Sequence, residues 1–109
     1  MANYSRDKLK RAVYPLTIVD GRDTVAAVGT AEAMSSTDLV VDFIIITAET
    51  NNTGTVTVGA STVVDAVATT RRGIPLNPGD SISLGGVNLK KVYLDVEVAG
   101  DGVTYVYLA

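Results

Sequence analysis

Apolar and polar residues alternate with a period of two along much of this chain, the spacing of strands with one buried face. The clearest case is 92–98, where Val92, Leu94, Val96 and Val98 point one way while Tyr93, Asp95 and Glu97 point the other. The final run Val103 to Leu108 places Thr104, Val106 and Leu108 on one face and Val103, Tyr105 and Tyr107 on the opposite one. Ser81-Ile82-Ser83-Leu84 and Thr55-Val56-Thr57-Val58 alternate in the same way, with Val56 and Val58 inward and Thr55 and Thr57 outward. Leu39 to Ala48 is the most apolar stretch and the natural central strand. Ile44, Ile46 and Ala48 share one face, and Phe43, Ile45 and Thr47 the other. With bulk on both faces, this strand is either buried between two layers or covered on one side by a neighbouring subunit.

Turn chemistry separates these runs. Asn51-Asn52-Thr53-Gly54 supplies residues that tolerate positive φ and predicts a hairpin between the run ending at Ala48 and Thr55–Val58. Pro78-Gly79 predicts a second reversal before Ser81, Asn88 to Lys91 a third, and Ala99 to Gly102 a closing hairpin. Near the N-terminus, 12–19 reads as an edge strand or extended arm, because Pro15 lacks a ladder N–H. Asp20-Gly21 then signals a turn, with Thr24 to Val28 returning as a partner strand and 30–34 continuing extended. A short helix over Thr24 to Met34 competes with that strand, but Gly29 and the β-branched residues oppose it. Ser35 to Asp38 is a polar break, and 59–73 is a long loop whose Val63, Val64 and Val67 are placed to cover an open end. The pattern predicts an all-β fold, an antiparallel β-sandwich of jelly-roll or immunoglobulin-like kind with seven or eight short strands. Its expected organisation is an N-terminal arm over 1–35, with a possible edge strand or hairpin, and a sandwich domain over 36–109.

Composition narrows the chemistry. At 109 residues, 47% of them apolar and 19% charged, the chain is long enough for one core and too apolar for disorder. Cysteine and histidine are both absent, which removes disulfides, thiolate metal sites and the commonest general base. No apolar run of signal-peptide or membrane-spanning kind is found, so a soluble chain made without export is expected. Net charge is −3, yet Arg6, Lys8, Lys10 and Arg11 against Asp7 leave residues 1–11 at +3 and the rest at −6. This basic leader is either a docking arm for an acidic surface or nucleic acid, or a solvated tail; its four cations with only Tyr4 among them disfavour nucleic acid.

Candidate sites are few. There is no glycine-rich phosphate loop, and the carboxylates Asp20 and Asp23, or Asp95, Glu97 and Asp101, lack calcium-loop spacing. Asp95 and Glu97 share a strand face without a cleft for a sugar ring, so no enzyme and no cofactor or metal are expected. Tyr93, Tyr105 and Tyr107 are expected near one another across the terminal hairpin, as a glycan-stacking platform or, preferably, a subunit interface. Phe43 and Ile45 join them as surplus apolar groups that need a partner, implying a homo-oligomer. Arg71 and Arg72, ending the long loop, are candidates to grip a carboxylate or phosphate, though an exposed pair is ordinarily solvated.

The segment from about Ser36 to Ala109 resembles a recurring module of small virion proteins of tailed bacteriophages. The likeness rests on Ile46-Thr47-Ala48 before Asn52-Thr53-Gly54, on Val56-Thr57-Val58-Gly59, and on Gly73-Ile74-Pro75-Leu76-Asn77-Pro78-Gly79-Asp80-Ser81-Ile82. Lys91-Val92-Tyr93 and Gly100-Asp101-Gly102-Val103-Thr104-Tyr105-Val106-Tyr107 complete it. About two thirds of the chain is covered; residues 1–35 lie outside, and the loop between Gly59 and Gly73 is longer than the usual pattern. The resemblance implies a capsid decoration or cement protein on the virion surface, bound to the major capsid protein and favouring a trimer, because threefold positions are common docking points. A head-tail or fibre-associated component is the next implication, and a carbohydrate-binding module on the virion a weaker one, the chain having no Trp.

Overall fold

The computed structural model describes residues 16–66 and 70–109. Their eight strands are β1 (Ile18–Thr24), β2 (Glu32–Ala33), β3 (Val40–Ala48), β4 (Val56–Gly59), β5 (Ile74–Leu76), β6 (Ser81–Asn88), β7 (Tyr93–Val96) and β8 (Gly102–Leu108). They form two four-stranded antiparallel sheets, ordered β1-β8-β3-β6 and β2-β7-β4-β5. Between them lies one core, with Ile44, Ile46 and Val103 from the first sheet against Val56, Val58, Leu94 and Val96 from the second. The fold is therefore all-β and sandwich-like, and the only helical turn among the described residues is the 3-10 turn Leu89–Lys91.

The pairings are nested: β1 with β8, β2 with β7, β3 with β6 and β4 with β5. Every connection except that between β4 and β5 therefore passes from one sheet to the other. This overturns two predicted hairpins. The Asn51–Gly54 segment and the Ala99–Gly102 segment both reverse the chain, yet each is an arch between sheets, since both edges of β3 are taken by β6 and β8. No residue other than glycine adopts positive φ among those described, so the asparagines do not serve as left-handed turn residues. Asn52 instead docks the arch, exchanging hydrogen bonds with the backbone of Gly102 at 2.8 and 3.0 Å. The Pro78-Gly79 reversal forms as expected, with Gly79 at φ 89° and Asp80 N–H donating to the Asn77 carbonyl at 2.9 Å. It too links the sheets, β5 to β6.

At the N-terminal end the predicted turn at Asp20-Gly21 is absent. Both residues lie inside β1, opposite Val106 and Tyr105. Gly21 is there for close approach: a Cβ would collide with the Tyr105 hydroxyl. The predicted return strand and the competing helix are absent too. Val25 enters the core, and a turn ending at Gly29 (φ 79°) leads to the two-residue β2. β1 is an edge strand, paired only with β8, but it runs from Ile18 to Thr24 and so shares only Ile18 and Val19 with the predicted 12–19, while Pro15 falls outside the described residues. The expected boundary at residue 35 falls inside the two-sheet body, because β1 and β2 belong to the sheets and Val25 is wholly buried.

β3 is central as predicted, and its burial decides between the two readings of its faces. Ile44, Ile46 and Ala48 are completely buried, whereas Phe43 and Ile45 are 38% and 42% exposed, so the second layer covers one side only. The alternation slips between the Val41–Val87 and Phe43–Gly85 pairs, where Gly86 has φ 55°, letting Val41 and Ile44 both reach the core. In the second sheet Thr57 and Asp95 were expected to face water, yet both are buried. Part of the 59–73 loop lies over them: Val63 is buried, and Val64 and Arg72 form a two-bond antiparallel bridge. Val67 lies outside the described residues.

Candidate interaction face

Directly opposed residues in an antiparallel sheet share a face, so the registers of β1, β8, β3 and β6 define three rows on the outer side of the first sheet. The first row is Ile18, Leu108, Phe43 and Gly85. The second is Asp20, Val106, Ile45 and Ser83, and the third is Arg22, Thr104, Thr47 and Ser81. Polarity thus grades from apolar at the chain-terminal end to polar at the other. Ile18 is 69% exposed and Val106 42%, which with Phe43 and Ile45 makes one continuous apolar patch. Isolated exposed apolar side chains are ordinary, but a contiguous patch marks a contact surface. The polar row is internally tied, by a 2.6 Å hydroxyl pair of Thr47 and Ser81 and by Arg22 Nε donating to both Glu49 oxygens at 2.9 Å. A shallow groove of about 440 Å³ runs between Arg22, Thr104 and the Ile45–Val106 pair.

Of the predicted interface residues, the structure brings Phe43 and Ile45 together here and places the tyrosines elsewhere. Tyr105 and Tyr107 stand opposite Ile46 and Ile44 on the inner side of the same sheet, partly buried against the core. Their rings stack, centroids 6.0 Å apart and planes 11° from parallel. Tyr93 belongs to the second sheet, beside Asp38, Ser61, Lys90 and Lys91, so the three rings form no common platform. The period-two pattern placed Val106 and Leu108 opposite the tyrosines; which of the two sets would face out was decided by Val103, wholly buried on the tyrosine side. Ile18 was placed in the predicted edge strand over 12–19 but not on this face, because only the pairing of β1 with β8 and of β8 with β3 sets it in one row with Leu108 and Phe43.

The carboxylates are mostly internal. Asp65, in the long loop, is fully buried and accepts from Thr57 at 2.6 Å and from Thr55 at 2.9 and 3.1 Å. Asp95 accepts from the backbone N–H groups of Asp65, Gly29 and Val96 at 2.9, 3.1 and 2.9 Å. Asp101 takes the N–H groups of Thr53 and Gly54, the latter at 2.8 Å. These three are structural pins that spacing alone did not reveal. Arg71 turns back on its own loop, its Nε donating to the backbone carbonyl of Asp65 at 3.0 Å, while Arg72 stays exposed. Burial, then the Glu32 charge, pushes the Asp23 carboxyl above its ordinary range. Burial, then the neighbouring Tyr107, Asp23 and Asp20, does the same for the Tyr105 phenol.

Arg6, Lys8, Lys10 and Arg11 lie outside the described residues. Among the described residues no group of three or more metal-ligating side chains comes together, and no helix is long and apolar enough to cross a membrane. The chain matches no family model, no curated protein and no solved structure.

Proposed function

We propose that this chain is a non-catalytic virion structural protein, a capsid decoration protein that self-associates and binds the major capsid protein on the outer head surface. The observation that carries a binding role is the outer face of the first sheet, an apolar patch left open on a body whose buried side-chain polar atoms are all partnered among the described residues. The virion setting comes from the likeness of the turn and strand motifs between Ile46 and Tyr107 to small phage proteins. We read the nested order, β1-β8-β3-β6 over β2-β7-β4-β5, as the jelly roll, an architecture frequent in viral shells, in preference to the immunoglobulin-like one. The buried carboxylates support a non-catalytic role, since Asp65, Asp95 and Asp101 are each committed to holding a loop.

Two alternatives remain within the same reading, a head-tail or fibre-associated position and glycan binding on the virion. Glycan binding is disfavoured by the inward position of Tyr105 and Tyr107 and the separation of Tyr93. Cryo-electron microscopy of particles assembled with this chain separates them. Density repeated over the whole head is the expected result; density confined to the neck, tail or fibres, or none on the particle, overturns the decoration reading.

A further inference from the structure

The first two rows of the exposed face are self-complementary about a two-fold axis. Four strands lie side by side, with about 14 Å from β1 to β6 at ~4.8 Å per strand. An axis lying in the interface, parallel to the strands and midway between β8 and β3, turns β1 of a second copy over β6 of the first and β8 over β3, without shifting the rows. Along the first row this seats Ile18, the most exposed of the patch residues at 69%, above Gly85. Gly85 has no side chain, and a Cβ built on it would meet nothing within 4 Å, so the projecting residue of one copy meets the hollow of the other. The same rotation sets Leu108 against Phe43 in that row. In the second row it sets Val106 against Ile45 at the centre and Asp20 against the exposed Ser83 hydroxyl at the margin. Apolar groups thus meet apolar groups in the middle, and the flanking carboxylate meets a donor.

We propose that a second copy of this chain covers the outer face of the first sheet in a two-fold dimer, Ile18 of each copy lying over Gly85 of the other. Such an isologous contact closes on itself, whereas a ring of three needs two different surfaces on each copy. A two-fold unit of this kind would therefore replace the threefold one implied by the likeness to phage proteins. The proposal rests on the self-association part of the functional reading and is independent of where on a particle the protein sits. A face four strands wide is at the small end of specific interfaces, so dissociation in the micromolar range is expected.

The chain has no cysteine, so single substitutions give unique thiols. Ile18→Cys and Gly85→Cys are purified separately, mixed at about 100 micromolar, above the dissociation constant expected for so small a face, and treated with dibromobimane, a short thiol cross-linker. A covalent dimer is expected in the mixture and not in either variant alone, since two thiols both at position 18, or both at position 85, would lie at least about 14 Å apart across the face. Sedimentation equilibrium of the native chain should show a monomer–dimer equilibrium, and Ile45→Lys should shift it at least tenfold toward monomer while keeping the β circular dichroism spectrum. A trimer without the mixed cross-link overturns this geometry and leaves self-association standing. A monomer at 100 micromolar or above overturns both, and cryo-electron microscopy of the particle still tests the virion reading separately.

Discussion

The Thr57 hydroxyl donates a 2.6 Å hydrogen bond to the Asp65 carboxylate, and neither side chain has any contact with water. Thr57 points away from the core, so this bond is what fastens the long loop to the back of the second sheet. Asp65 holds three hydroxyl or amide relationships at once, with Thr55, Thr57 and, through its own N–H, Asp95. Replacing Asp65 by Ala should cost about 3 kcal/mol, because it strands the Thr57 hydroxyl and removes the group facing Arg71. Thr57→Val, which removes one donor and keeps the shape, should cost less, about 1–2 kcal/mol. Urea unfolding of both variants and their double mutant checks this; additive losses would show that the pair is not coupled.

Gly73 closes the same loop at φ 114°, and a Cβ there would sit 2.6 Å from the Val58 carbonyl oxygen and 2.8 Å from a Val63 methyl. Backbone cannot yield as a side-chain tip can. Gly73→Ala should therefore lose about 2 kcal/mol or more, by thermal or urea unfolding, while Gly85→Ala should be close to neutral.

Asp101 receives the backbone N–H groups of Thr53 and Gly54 and so anchors the arch from β3 to β4. Asp101→Ala leaves those donors to find water and should destabilise by about 2 kcal/mol. In that variant, hydrogen exchange should speed up at Thr53 and Gly54 more than at β3 amides. Unchanged protection there would refute the anchoring role.

Asp23 faces Glu32 across the open edge between β1 and β2, with its carboxyl held above the ordinary range by burial and by that charge. A raised carboxyl pKa means that the folded state holds the proton more tightly than the unfolded one. Stability from this group is thus full below the unfolded value near 3.8 and is lost as pH rises through the folded pKa. Asp23→Asn should raise the melting temperature modestly at pH 7 and have little effect at pH 3, where the native carboxyl is mostly protonated in both states. Tyr105 carries the same sign: its phenol is raised by burial, so the stability from this group is full below the unfolded value of 10.0 and is lost as pH climbs past it, and Tyr105→Phe should lessen that alkaline loss and leave the acid limb unchanged.

Truncation separates the leader from the fold. A chain lacking residues 1–11 should keep its β circular dichroism spectrum, and its particle attachment should weaken and lose salt dependence if the four cations dock on capsid. A chain beginning at residue 36 loses β1, β2 and the buried Val25, bares the β8 edge, and should aggregate or unfold. A soluble, cooperatively unfolding 36–109 fragment would show that β1 is an accessory strand.

Much of the architecture was written locally. Period-two alternation identified β4, β6, β7 and β8, the most apolar run identified β3, and Pro78-Gly79 and Asn88–Lys91 marked real reversals, because strand and turn preferences depend on neighbours two to four residues away. The exclusion of thiol and imidazole chemistry needed only the composition. What a local pattern does not carry is the partner of each strand. A reversal between two strands looks the same whether they pair in one sheet or face each other across the core, so the nested order and the inter-sheet arches emerged only in three dimensions. The same holds for which side of a strand meets water. Thr57 and Asp95 sit at outward positions and are buried by a loop that arrives from elsewhere, while the alternation of β8 separates two sets of side chains without saying which is inside. Val103, Tyr105 and Tyr107 became the inner set through the register that sets them against Ala48, Ile46 and Ile44, and that long-range pairing is what left Phe43, Ile45 and Val106 on the open face.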